Sequence, residues 1–320
     1  MTIFQQLEQF VKTTFKTTVA IFLDALRLSP NAQGYVSGSV TELLLKQHIE
    51  KQGYLVERIK EKWEGTKLHH GDFYFTKNNA QDCFVLESKG VKSNSEKWHK
   101  LFNRHSLIQF LYDNHGVINW VNKNEDIERQ IIEWIDKNLP KFKDEYSTTL
   151  YEYEEVQRYA KNRPKKETDK SRAIDLLKDY SREQIGDMIA ERLKYVQSRV
   201  GVLETHLVSG TSERNERTQA TPRKDEFHVL AVDIFLRFPE HKFLFANPQL
   251  LDSSGSNEAH LKQNYIMGFV FTNDDETITL SLSDDWFDQF DDVVDSLDKT
   301  TFINPNDKQV DVRDVIYDEF

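Results

Sequence analysis

Four apolar residues, Cys83-Phe84-Val85-Leu86, run straight into Glu87-Ser88-Lys89-Gly90, and this junction constrains the chain more than any other stretch. A short apolar run suits a buried strand, whereas an acid and a lysine that continue it are costly unless paired, solvated or bound to a metal. Upstream, Gly71-Asp72-Phe73-Tyr74-Phe75 is aromatic and β-prone, and Lys77-Asn78-Asn79-Ala80-Gln81-Asp82 supplies turn chemistry. The pattern predicts a hairpin in which Asp72, near the start of one strand, lies close to Glu87, at the end of the other. Alternation along the second strand puts Glu87 and Lys89 on the same side. Two carboxylates and an ammonium converging at one strand end describe a divalent-metal site with a cation beside it.

The flanking elements follow in a simple order. An N-terminal helix is predicted over residues 1–28, a loop over Ser29–Gly34, a helix from Ser39 to about Gly53, and a strand over Tyr54–Ile59. After the hairpin, Lys92–Asp113 reads as a helix, Gly116–Val121 as a strand, and Asp126–Asn138 as a helix closing at Pro140. The Asp72…Glu87-Ser88-Lys89 pattern, set in this order of elements, resembles the PD-(D/E)XK nuclease superfamily, the fold of many restriction endonucleases. The resemblance covers about residues 36–140. It implies an α/β fold with a restriction-endonuclease-like helix–strand–strand–strand–helix–strand core, carrying helical and β-strand extensions. It also implies Mg²⁺ held by Asp72 and Glu87, with Lys89 acting on the attacking water. Gly71 stands where the family pattern has proline. Glu42 has two readings: a capping-box partner of Ser39, or, as the resemblance implies, an acid that assists metal binding. The other Glu-x-Lys triplet, Glu240-His241-Lys242, follows Phe238-Pro239 and reads as a turn.

Charge at first opposes a nucleic-acid partner, because the chain carries a net −11. The acidity is local, however. Residues 272–320 hold fifteen acids against three bases, a net −12, which leaves residues 1–271 at +1. Regular apolar residues in that acidic segment (Trp286, Phe287, Phe290, Val293, Val294, Leu297) predict that it folds. Its Asp pairs lack EF-hand spacing. The single cysteine, Cys83, excludes an internal disulfide and a cysteine zinc cluster, and fits a cytoplasmic protein. No signal-peptide pattern, membrane-length apolar stretch, glycine-rich phosphate loop or Gly-x-Ser-x-Gly is present, so neither a membrane nor a nucleotide cofactor is expected.

Beyond residue 145 the expectation is a second region, 146–320, for DNA recognition or dimerisation, against a catalytic region over 1–145. Tyr151–His206 reads as helical, with Ser181–Arg199 a single packing helix rather than a helix-turn-helix. The basic run from Lys161 to Arg172 reads as a solvated linker or a phosphate-contacting loop. Ser209–Asp225 has no apolar periodicity. Arg214, Asn215, Arg217, Gln219, Arg223 and Lys224 are its candidates for DNA contact, since arginine reads guanine edges and amides read adenine edges. Strand pairs are expected over 227–238 with 242–245, and over 265–271 with 277–282. The resemblance implies a Mg²⁺-dependent, sequence-specific endonuclease of double-stranded DNA, a type II restriction enzyme acting as a homodimer. The alternatives are a non-catalytic DNA-binding or regulatory protein whose acids and Lys89 form a structural ion network, and a repair or mobile-element nuclease of the same fold.

Overall fold

The computed structural model describes residues 2–60, 69–77, 82–92, 101–144, 181–207, 221–255 and 257–312. Its helices are α1 (Ile3–Phe15), α2 (Val19–Leu28), α3 (Pro30–Glu50), α4 (Arg104–Asp113), α5 (Ile127–Asn138), α6 (Pro140–Asp144), α7 (Arg182–Gln197) and α8 (Phe290–Asp295). Its strands are β1 (Tyr54–Arg58), β2 (Phe73–Lys77), β3 (Cys83–Gly90), β4 (Val200–Glu204), β5 (Val229–Asp233), β6 (Phe243–Ala246), β7 (Ser253–Ser254), β8 (Asn257–Leu261), β9 (Ile266–Thr272) and β10 (Ile278–Leu282). The protein is therefore mixed α/β. No described helix is long and apolar enough to cross a membrane. The chain forms two compact units, each built from segments that are not continuous in sequence. One comprises Met1–Gly90, Glu226–Asp233 and Asp298–Phe320, the other Val91–Asp225 and Ile234–Leu297.

In the first unit, β1, β2 and β3 form an antiparallel meander with Arg58 opposite Phe73 and Phe73 opposite Leu86. Strand β5 then pairs parallel to β3, with Leu86 beside Val229 and Gly90 beside Asp233. All five residues of β5 are buried, as expected of a central strand covered on both faces. Helix α3 packs with Thr41, Leu45 and Ile49 buried, four residues apart on one stripe. The C-terminal segment joins the same unit: Ile303 bridges to Cys83, and Val310 to Ile59.

Two expectations fail in this neighbourhood. The loop over 29–34 and the helix start at Ser39 are replaced by one helix from Pro30. Ser29 caps it by accepting from the Ala32 N–H (3.3 Å), and Pro30 takes the first helical position, where its missing N–H is not needed. Ser39 is thus mid-helix, and the capping-box reading of Glu42 is overturned. The strand over Gly116–Val121 is also absent. His115–Val117 is a short 3-10 turn, and Ile118 and Val121 are buried with Asn119 exposed and Trp120 half-buried between them, which is not the alternation of a half-buried strand. Trp120 stacks on Trp134 at 5.5 Å, and Asn119 is held by Ser281 Oγ and the Leu280 carbonyl. The strand parallel to β3 is β5, almost 140 residues further on.

The second unit builds its core from α4, α5, α7 and the antiparallel sheet β10–β9–β4. Leu107, Leu111, Ile131, Ile135, Val202, Phe269 and Phe271 fill it. Of the span expected as a helix from Lys92, residues 93–100 lie outside the described residues, and α4 begins at Arg104, where Asn103 is extended and its side chain accepts from the His105 and Ser106 N–H groups. Lys92 is extended and donates its backbone N–H to Glu204 O. The helix expected to reach His206 ends at Gln197, and β4 follows at once. Within it, Ser181–Arg199 does form one helix, closed at its start by a Ser181–Gln184 capping box. The β9–β10 hairpin matches the pair expected over 265–282. The acidic segment is folded as far as it is described, with Trp286, Phe290, Val293 and Leu297 buried.

Gly268 sits where β9 meets β10, opposite Leu282. A Cβ there would lie 2.1 Å from the Ser281 carbonyl oxygen, so one strand must move. Gly268→Ala is expected to destabilise the protein by ~1–3 kcal/mol through overpacking. Urea denaturation measures this, and an unchanged midpoint refutes the close approach.

Candidate active site

The site lies at the ends of β1, β2 and β3, and its geometry starts from Gly71. With φ at +151°, this residue occupies a conformation that side-chain-bearing residues rarely adopt, and a Cβ would lie 2.4 Å from Val85 Cγ1. The proline of the family pattern cannot stand here, because its ring holds φ near −65°. Glycine is what lets the next residue enter the sheet. The Asp72 N–H donates to the Leu86 carbonyl at 2.9 Å, and its own carbonyl accepts from the Ile59 N–H at 2.8 Å. The Asp72 backbone is thereby clamped between β1 and β3, and the register places it across from Glu87.

The side chains then converge as the sequence predicts. Asp72 Oδ2 accepts from the Ser88 backbone N–H at 2.7 Å. Lys89 Nζ forms an ion pair and hydrogen bond with Glu87 Oε1, both side chains being largely buried. Burial, together with the charge of Glu87, pushes the Asp72 carboxyl up to about 7, against the opposing pull of Lys89, the Ser88 N–H and Arg58. Burial works against the charge on Lys89, but Glu87, Asp72 and Glu42 outweigh it and hold its pKa above the ordinary lysine value. Lys89 is therefore an ammonium under any ordinary condition, and Asp72 is a carboxyl poised to take or release a proton near neutrality.

Glu42 reaches this neighbourhood from α3. Its Oε2 lies 2.7 Å from Arg58 Nη2, at the end of β1. The adjacent Thr41 donates its hydroxyl to Asp233 Oδ2 at 2.8 Å. Asp233 is only 4 % exposed and ends β5, beside Gly90 of β3. This bond pins α3 over the strand ends and so sets where Glu42 stands. Asp233 escaped the sequence reading, although its signal was the one that singled out Glu87. An acid directly continues four apolar residues, Val229-Leu230-Ala231-Val232.

Among the described residues no group of three or more His, Cys, Asp or Glu side chains is placed to hold a metal ion. Asp72 and Glu87 nevertheless suit Mg²⁺, which is typically held by one or two carboxylates and keeps several waters. The raised proton affinity of Asp72 comes first from burial and then from the charge of Glu87, and a divalent cation would favour the ionised carboxylate against both. Glu42 is engaged by Arg58, so its part in such a site requires that pair to open.

The DNA-contact candidates fare differently. Arg214, Asn215, Arg217 and Gln219 lie outside the described residues, as does the basic run from Lys161 to Arg172. Arg223 is forked onto Asp225 through two hydrogen bonds of 2.8 and 2.7 Å, and Lys224 Nζ donates to the Leu251 carbonyl. Both side chains are engaged within the second unit.

No protein-family model, curated protein or solved structure matches the chain. The chemistry of the site therefore rests on its residues alone.

The raised pKa of Asp72 has a consequence for stability without any ligand. Between its ordinary 3.8 and about 7, the folded state binds this proton more tightly than the unfolded state. The stability this provides is full below the ordinary value and is lost as pH rises through about 7. The window of Lys89 lies above its ordinary 10.5 and does not intrude. In EDTA, wild type is expected to lose stability between pH 5 and pH 8, and Asp72→Asn to lose less. Equal slopes in urea titrations at the two pH values would remove Asp72 from this role.

Proposed function

We propose that this protein is a Mg²⁺-dependent endonuclease that hydrolyses phosphodiester bonds in double-stranded DNA at specific sequences, in the manner of a type II restriction enzyme. The observation that carries this reading is the convergence of Asp72, Glu87 and Lys89 on one face of the hairpin, with Asp72 held at an unusually high proton affinity. The order α3, β1, β2, β3, then helices, then β5 parallel to β3 supports a restriction-endonuclease-like core whose last strand arrives after a long insertion.

Phosphodiester cleavage leaves the protein little covalent chemistry and much electrostatics. Asp72 and Glu87 would hold the metal, their backbones fixed by the sheet. When bound, Mg²⁺ would polarise the scissile phosphate and lower the pKa of a bound water. Lys89, charged at all working pH values, offers a cation to the negative charge that develops at phosphorus. Its pairing with Glu87 keeps the ammonium beside the metal-binding carboxylates rather than in solvent. Thr41 and Asp233 act through α3, holding Glu42 and Arg58 close to the strand ends without entering the reaction.

The competing reading, a DNA-binding protein without catalysis, draws on the Lys89–Glu87 and Arg58–Glu42 ion pairs, which satisfy these charges without a metal. Incubation with plasmid DNA in Mg²⁺, and in parallel in EDTA, separates the two. The expectation is discrete fragments in Mg²⁺ and intact plasmid in EDTA. Lys89→Ala is expected to lower the cleavage rate on the order of 10²–10³-fold, as loss of one electrostatic donor does, while leaving duplex binding nearly intact. Retention of wild-type turnover by that variant excludes Lys89 from the mechanism. Intact plasmid in both buffers favours the binding protein.

A further inference from the structure

The described residues carry eighteen exposed large hydrophobic side chains, and ten of them lie within residues 1–40. They sit on α1, α2 and the first half of α3, where Val11 is the one buried residue described. Phe15 packs against Phe10 at 5.8 Å and Phe22 at 5.0 Å, giving α1 and α2 a small seam of their own. That seam leaves most of the apolar surface uncovered: Leu28 is 77 % exposed and Tyr35 82 %. Ten such side chains, each about half open, present on the order of 1,000 Å² of apolar surface. A standard interface takes about 800 Å² from each partner, so the surface is large enough for a stable contact.

Charge selects among the occupants. Residues 1–40 contain the bases Lys12, Lys16 and Arg27 and the acids Glu8 and Asp24, a net +1 in a chain of net −11. Asp24 and Arg27 already pair with each other at 3.1 Å. A nucleic acid or an anionic lipid surface calls for a basic face, which is missing here. A neutral apolar face is complementary to itself, and a two-fold contact uses the same patch on both copies. Gly34 and Gly38 add a second indication. They lie in the interior of α3, where each glycine costs roughly 0.5–1 kcal/mol relative to alanine. A Cβ at either position would meet nothing within 4 Å. Packing within one chain does not call for these glycines, whereas close approach of another helix does.

We propose that residues 1–40 are the face through which two copies of this chain associate, with the contact centred on Tyr35 of α3. The contact stands on exposure and charge and does not rest on the nuclease reading. A two-fold association here would set α3, and with it Thr41 and Glu42 further along the same helix, next to the interface.

Sedimentation velocity of the full chain over about 1–100 µM tests the proposal, a range that captures micromolar association. The expected species has twice the chain mass of 37.7 kDa. Leu28→Asp and Tyr35→Asp, both at open positions of the single chain, are expected to sediment at the mass of one chain with an unchanged circular dichroism spectrum. Tyr35→Cys provides a measurement that does not depend on those variants folding. With Cys83 buried, mild oxidation is expected to yield a disulfide-linked pair. A wild-type chain that stays monomeric throughout overturns the proposal. So do charge variants that still pair, or a Tyr35→Cys chain that does not cross-link. A monomer that instead co-sediments with phosphatidylcholine vesicles assigns the face to a lipid surface and overturns it equally.

Discussion

A slip of one residue between β2 and β3 would turn Asp72 to the opposite face from Glu87 and Lys89, because side chains alternate along a strand. The register that prevents this is secured at Asp72 itself. Its N–H and carbonyl are bonded to Leu86 and Ile59, and its carboxylate to the Ser88 N–H. Gly71 makes the clamp possible by admitting the chain in a conformation closed to other residues. The placement of Asp72 against Glu87 and Lys89 therefore depends on one backbone position, whose φ proline could not adopt.

The charges at this clamp are balanced rather than comfortable. Burial alone would neutralise Asp72 and Lys89, yet the two respond differently, since Lys89 faces several carboxylates and Asp72 faces both Glu87 and Lys89. Such a network is poor as a stabilising device, because desolvation offsets much of what the ion pairs provide. Arg58 and Glu42 repeat the theme on the neighbouring strand end and helix. Partly buried charges are thus concentrated at one edge of an otherwise apolar sheet.

The hairpin, β1, α5, α7 and the β9–β10 pair were legible because each is a local pattern: alternation, a cap, or an apolar run bounded by turn residues. The placement of Asp72 against Glu87 followed from the hairpin, and that of Glu87 with Lys89 from alternation. What escaped depended on distant residues. The parallel partner of β3 is β5, and nothing within the intervening stretch marks it over the apolar residues around Ile118, which join the core of the second unit. Helix α3 starts nine residues before the expected Ser39, because Ser29–Gly34 has the composition of a loop whereas Ser29 and Pro30 serve as its cap and first position. Asp233 was missed because no short motif named it, although its setting, an acid ending four apolar residues, matches that of Glu87.

Strand β3 shows how one segment serves both packing and chemistry. Its first half is fastened from two directions. His228 accepts the Val85 N–H on Nδ1 at 3.0 Å, leaving Nε2 to donate to the Thr301 carbonyl at 2.9 Å, and the Ile303 N–H donates to the Cys83 carbonyl. Burial, with the charge of His69 as a smaller contribution, pushes the His228 pKa below the ordinary histidine value against the opposing pull of the Thr301 hydrogen bond. The folded part of the acidic C-terminal segment thus acts as a brace on the hairpin, with Lys308 paired to Glu57 of β1. Apolar side chains and backbone bonds immobilise residues 83–86, and only then does the strand carry Glu87 and Lys89 beyond the core. The charged end can be held to a fixed geometry because the apolar end cannot move, which is the condition that positioning of a metal and a phosphate imposes.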